Sequence, residues 1–289
     1  MRNLKVKISD IDLHVVDFGG TGPETILLVH GLSANARYWD AVAERLVKDY
    51  RVLALDLRGR GESGKPAAGY YDLWQYARDL KELVEALGLD QMILMGHSMG
   101  AMVGVVFASQ YADHLSRLVL VDGGVEFPRE ELKLLEEALS LRLHILGTVF
   151  ADWHTYLEFM KKNPNHRHWN HYIERYYWHD VHHHDDGSVV SKTPRHAALP
   201  FKQRPANLDE LGGRIDVPTL LLQAPEGLQY GPGNVVVVPP GKGKQFISKL
   251  PEGSRFVQVD GANHHSIILN HYEALVVLVK GFLQDTAQP

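Results

Sequence analysis

Six short runs of apolar residues, nearly free of polar interruptions, punctuate the chain: Ile26–Val29, Val52–Leu55, Met92–Met95, Leu118–Val121, Thr219–Leu222 and Phe256–Val259. A strand with one wet face alternates apolar and polar residues, whereas a continuous run is buried on both faces. Between the runs the period changes. Leu73, Tyr76, Ala77, Leu80, Leu83, Val84 and Leu87 recur at helical steps, which predicts an amphipathic helix stopped by Gly88. Trp39, Val42, Ala43 and Leu46 repeat the pattern more briefly. Buried strands alternating with helices predict an α/β fold, a mostly parallel central sheet with helices on both faces. Val6–Ile8 and Leu13–Val16 are expected to add an antiparallel pair ahead of it.

The alternation stops after Val121 and resumes near Ile215. Between them, Glu130–Leu146 and Trp153–Lys161 read as helical, and a block of aromatics and histidines runs from His166 to His184. The expected organisation is a core of residues 1–125 and 208–289, with 126–207 inserted as a helical cap or lid. Such a cap would cover the carboxyl edge of the sheet, where open α/β sheets bind ligands. A decorative insertion packed to one side is the alternative. Trp153, Tyr156, Trp169, Tyr172, Tyr176, Tyr177 and Trp178 either line a pocket or form the insertion's own core. The segment 153–184 is expected to govern substrate entry, with Trp169 and Trp178 as the residues whose substitution would change substrate preference.

Composition narrows the function classes. Hydrophobic residues make up 45% of the 289 and charged residues 22%, an ordinary globular balance. A net charge of −5 argues against a nucleic-acid partner, which would favour a basic patch. No run approaches the roughly 20 apolar residues of a membrane span, so no membrane partner is expected. The opening MRNLKVKISD lacks the apolar core of a secretory signal. There is no cysteine, which excludes disulfides and thiolate zinc sites and leaves a reducing cytoplasm as the simplest address. Monomer and homodimer are both open.

The predicted strands end in reactive or permissive residues. Met92–Met95 runs straight into Gly96-His97-Ser98-Met99-Gly100, a G-x-S-x-G between a buried strand and a helix. Its glycines permit a sharp turn that exposes the Ser98 hydroxyl above the sheet edge, which makes Ser98 the candidate nucleophile. The following helix points its N-terminus at the site and favours developing negative charge. His264 follows the last apolar run through Asp260-Gly261-Ala262-Asn263 and is the candidate general base, with His265 as competitor. Gly59, Gly61 and Gly64 fit a dinucleotide fingerprint, but Pro66 and the residues after it do not open a helix as that motif requires. His179, His182, His183, His184, Asp185 and Asp186 have metal-binding chemistry, yet a histidine tract before Asp-Asp-Gly reads as a solvated loop. Neither a cofactor nor a metal is expected.

These motifs resemble the α/β-hydrolase family over nearly the whole chain outside the insertion. Val29-His30-Gly31-Leu32 is similar to its oxyanion-hole segment, Asp56–Ser63 to its D-x-R-G-x-G-x-S turn, and Gly261–His264 to the loop carrying its histidine. The resemblance implies an oxyanion hole made from the backbone N–H groups of Leu32 and Met99. It also implies a third, acidic member. The family usually carries Asp in the loop that here reads Gln223-Ala224-Pro225-Glu226-Gly227, and Gly227 stands at that place. Some branches place the acid after the preceding strand, which gives Asp122. Asp122 is the expected acid and Glu226 the alternative, since both respect the order Ser, acid, His. The implied function is a serine hydrolase cleaving a carboxylic ester or lactone through an acyl-enzyme, with a small molecule as its partner. The alternatives are carbon–carbon bond hydrolysis on the same fold, and a small-molecule receptor with a slow triad, which the altered loop motivates.

Overall fold

The computed structural model describes residues 1–66, 71–127, 133–134, 137, 139, 143–198, 207–230 and 233–285. The central sheet holds β1 (Arg2–Lys7), β2 (Asp12–Gly19), β3 (Thr25–Val29), β4 (Arg51–Leu55), β5 (Met92–His97) and β6 (Leu115–Val121). A second three-stranded sheet follows in the chain, made of β7 (Val149–Phe150), β8 (Val181–His183) and β9 (Val189–Ser191). The chain then returns through β10 (Thr219–Gln223), the hairpin β11 (Leu228–Tyr230) and β12 (Gly233–Val235), and β13 (Arg255–Gln258). The longer helices are α1 (Asp40–Leu46), α2 (Leu73–Ala86), α3 (Met99–Gln110), α4 (Trp153–Met160), α5 (His171–Asp180), α6 (Pro240–Ile247) and α7 (Tyr272–Asp285).

The central sheet has eight strands in the order β1-β2-β4-β3-β5-β6-β10-β13. From β4 to β13 neighbours are parallel, while β1 and β2 form the antiparallel pair expected at the start. Both faces are covered, which is why the strands read as unbroken apolar runs. On one face Leu27, Val29 and Leu94 pack with Leu80 and Leu83 of α2 and Val103 of α3. On the other, Ile26, Leu28 and Ile93 pack with Val42 and Leu46 of α1 and Val279 of α7. Helix starts follow side-chain capping: Asp72 accepts the Gln75 N–H at 2.8 Å, and Asn170 accepts the N–H groups of Tyr172 and Ile173. From β3 the chain moves to one side for β4 and then crosses back to the other side of β3 for β5, so the strand order reverses beside the carboxyl ends of β3 and β5. Ligands bind at such a crevice.

The segment between β6 and β10 differs from the helical expectation by carrying the small antiparallel sheet β7-β9-β8 beside α4 and α5. The helix expected over Glu130–Leu146 lies mostly outside the described residues. Polar contacts seat the segment on α1 of the core. The Arg175 guanidinium lies 3.1 Å from Asp40 and 2.9 Å from Glu44, and the Tyr172 hydroxyl donates to Glu44 at 2.8 Å. Asp40 is fully buried, and burial pushes its carboxyl up to about 6 despite Arg37 and Arg175 beside it. Its unfolded value is about 3.9. Between those values the folded chain holds the extra proton, so this group makes stability fall as the pH rises from about 4 to about 6. Asp40→Asn is therefore expected to flatten the stability–pH curve over that interval, read from thermal melts at stepped pH. Parallel curves for the two proteins would contradict this.

Candidate active site

Three side chains from three sheet strands meet at the crevice. The backbone turns sharply between β5 and α3, leaving Ser98 at φ 55° and ψ −117°. Gly96 and Gly100 make this turn possible. A Cβ at Gly96 would stand 2.2 Å from the Gly100 carbonyl oxygen, and one at Gly100 equally close to that of Val29. Asp122 directly follows β6 with φ 44°. Among the described residues, Ser98 and Asp122 are the only non-glycine positions with positive φ. Such conformations cost on the order of 1–3 kcal/mol each and persist where the surroundings impose them.

His264 joins the two. Its Nδ1 lies 2.6 Å from Asp122 Oδ2 and its Nε2 3.0 Å from Ser98 Oγ. A carboxylate on Nδ1 keeps the proton there, which leaves Nε2 as the acceptor for the serine O–H. The other Asp122 oxygen accepts the Ala224 N–H at 3.0 Å, so both carboxylate oxygens are engaged in a fully buried setting. The loop that carries His264 is held at three points. The His264 N–H donates to the Gly227 carbonyl at 2.8 Å. His97 Nε2–H donates to the His264 carbonyl at 2.9 Å. Asn263 accepts the N–H groups of His265 and Ser266, and donates to the Asn165 carbonyl in the inserted segment.

The strand-end loop after β3 supplies the other side of the site. Gly31 lies against the serine: a Cβ there would stand 3.3 Å from Ser98 Cβ. The carbonyl of the Gly31–Leu32 peptide accepts His30 Nδ1–H at 2.7 Å, and His30 Nε2 accepts the Leu57 N–H at 3.1 Å. One tautomer satisfies both bonds, and burial pushes this imidazole down to about 4, which keeps it neutral. Arg60, from the glycine-rich turn after β4, donates to the Leu32 carbonyl at 2.9 Å. That turn is therefore a brace for the loop after β3. Met99 opens α3, and its N–H is one of the first-turn donors left without an intrahelical acceptor.

A cavity of about 220 Å³ lies over these groups. Gly31, Leu32, Ser98 and His264 line it from the core, and Ile145, Phe159, Met160, Tyr176 and Tyr177 from the inserted segment. The structure brings Ser98, His264 and Asp122 together and leaves the alternative acid Glu226 elsewhere, paired with Arg167. An Asp at position 227 would not fit without moving β12. Gly227 has φ 61°, and a Cβ there would stand 2.4 Å from the Val235 carbonyl oxygen. His265 faces the Tyr38 hydroxyl at 3.4 Å. Among the described residues no group of three or more His, Asp or Glu side chains converges as metal ligands would, and His183 stacks on Trp178.

The aromatics divide between the two expected roles. Tyr176 and Tyr177 line the cavity, whereas Tyr156 is buried with its hydroxyl on Asp180. Trp169 stacks behind Tyr177, and Trp178 lies half exposed against Trp153. Neither Trp169 nor Trp178 borders the cavity, so the structure differs from the expectation that they govern entry. Tyr38, His97 and Asn165 do border it and were not singled out from sequence.

Residues 24–271 match the family model described as the alpha/beta hydrolase fold. The chain is 41% identical over 123 residues to N-formylmaleamate deformylase of Pseudomonas putida, covering 43% of this chain and 46% of that protein. It is 35% identical over 148 residues to 2-(acetamidomethylene)succinate hydrolase of Mesorhizobium japonicum, covering 51% of each. These matches thus span about half of either relative. A crystal structure of E-2-(acetamidomethylene)succinate hydrolase superposes with a TM-score of 0.83 at 23% identity, over 98% of this chain and 99% of that one. A match over residues 24–271 spans most of the chain, and its strand order and sharp β5–α3 turn fit the same architecture: this protein belongs to the α/β-hydrolase fold family.

Proposed function

We propose that the protein is a serine hydrolase that cleaves a carboxylic ester or lactone through an acyl-enzyme. The observation that carries this reading is the hydrogen-bonded row from Asp122 through His264 to Ser98. In the first step His264 Nε2 takes the serine proton as Oγ adds to the substrate carbonyl carbon. The tetrahedral oxygen then takes hydrogen bonds from the N–H groups of Leu32 and Met99. Collapse breaks the bond to the leaving alcohol, which receives the proton from His264. Water then repeats the sequence on the acyl-serine and releases the acid. Residues 126–207 act as the cap that closes the site from solvent.

The receptor reading drew its motive from the missing acid at Gly227. The contact between Asp122 and the imidazole supports the hydrolase reading over it. Relatives named as epoxide hydrolase and fluoroacetate dehalogenase are also similar over part of the chain. The family resemblance implies an aspartate nucleophile for those chemistries, where this chain has Ser98. Mixing the protein with excess 4-nitrophenyl acetate tests the reading. One equivalent of nitrophenolate per active site is expected in a burst, followed by slower turnover. Ester turnover that is linear from the first instant and independent of Ser98 would count against it.

His30→Leu tests the proposed oxyanion hole. The substitution removes the N–H that fixes the Gly31–Leu32 peptide, so kcat is expected to fall about 10- to 100-fold with KM little changed. A loss confined to KM would assign His30 a different role.

A further inference from the structure

Among the described residues lining the cavity, one carries a formal charge: Lys162, which is exposed to solvent. The rest of the wall is apolar or neutral. Leu32, Leu139, Ile145, Met160 and Leu228 supply hydrocarbon surface. The polar groups there are largely engaged within the protein. Asn165 donates to Asn163 and to the Gln229 carbonyl and accepts the Gln229 N–H, and the Tyr177 hydroxyl meets His166 at 2.6 Å. The buried Tyr38 hydroxyl meets both Nδ1 and the carbonyl of His265 at 3.4 Å, longer than the roughly 2.7–2.8 Å usual for such bonds.

Behind His264 stands the Asp122 carboxylate, fully buried and 2.6 Å from the imidazole. That carboxylate backs the reacting end of the site, while the wall's one cation, Lys162, is exposed to solvent. A second carboxylate would lose its water, meet no buried cation and face a like charge. Resting on the serine-hydrolase reading, we propose that the site selects substrates whose acyl part is uncharged and largely apolar, and discriminates against those carrying a carboxylate on that part. The cavity of about 220 Å³ leaves room for a medium-length acyl chain such as hexanoyl.

The test compares three 4-nitrophenyl esters on the full chain: hexanoate, the adipate half-ester with its free carboxylate, and the same adipate capped as its methyl ester. The expected kcat/KM for the two neutral esters exceeds that of the anion by at least about 100-fold. Ile145→Arg, which puts a cation on a buried stretch of the cavity wall, is expected to narrow that gap about tenfold. Binding is measured separately from turnover, using Ser98→Ala and calorimetry with the 4-nitroanilides of hexanoic acid and of adipic acid. The neutral anilide is expected to bind at least about 30-fold more tightly. Equal or tighter binding of the anion, or binding of neither, overturns the proposal. Preference for the neutral anilide in a protein that turns over no ester and takes no label at Ser98 would sustain this selectivity while refuting the hydrolase reading.

Discussion

Asp122→Asn is expected to lower kcat by about 10⁴-fold while leaving the fold intact. The fold survives because asparagine, like aspartate, tolerates the positive φ of 44° at this position. Its amide oxygen keeps the Ala224 N–H that Asp122 Oδ1 now accepts. Its NH₂ group then meets His264 Nδ1, where Asp122 Oδ2 lies at 2.6 Å. A donor facing Nδ1 moves the imidazole proton to Nε2. That nitrogen can no longer accept the serine proton. Glu226→Gln, which touches the Arg167 pair and not the histidine, is expected to cost less than about threefold in kcat. Measured side by side, the reverse ranking would move the acid to the later loop and make Asp122 structural.

Ser98→Ala is the larger effect, a loss of about 10⁶-fold in kcat. Alanine retains the backbone and removes only the hydroxyl 3.0 Å from His264 Nε2, so the melting temperature is expected to move by no more than about 2 °C. The residual rate over water would come from the Leu32 and Met99 donors and from binding in the cavity. Steady-state kinetics with a 4-nitrophenyl ester and a thermal melt on the same preparation check both halves. A variant that keeps more than about 1% of kcat would remove Ser98 from the reaction. Loss of activity together with loss of fold would be answered by Ser98→Cys, which keeps a nucleophile at the same turn.

The sheet was readable from the chain because burial on both faces writes each strand as an unbroken apolar run, as in Ile26–Val29 between two cores. The serine turn was readable because its glycines are required by close backbone approach rather than by chemistry alone. Asp122 was the harder choice. Chain order admits Glu226 equally, and the contacts that favour Asp122, its 2.6 Å approach to His264 and the pairing of Glu226 with Arg167, are long-range ones that no local pattern reports. Strands of two or three residues, such as β7, β11 and β12, are too short to show any period. Aromatic spacing in the insertion could not tell Tyr176 from Trp178. Both lie on α5, and their places depend on how that helix is anchored through Arg175 to Asp40 and Glu44.

On the proposed reading, Ser98 forms a covalent bond to the substrate's acyl group. Exposure to a fluorophosphonate, followed by digestion and peptide mass spectrometry, tests it most directly. One adduct per chain is predicted, on the peptide holding Ser98, absent from Ser98→Ala and formed far more slowly in Asp122→Asn. An adduct at another residue, or full ester turnover by a protein whose Ser98 stays unmodified, would contradict the account.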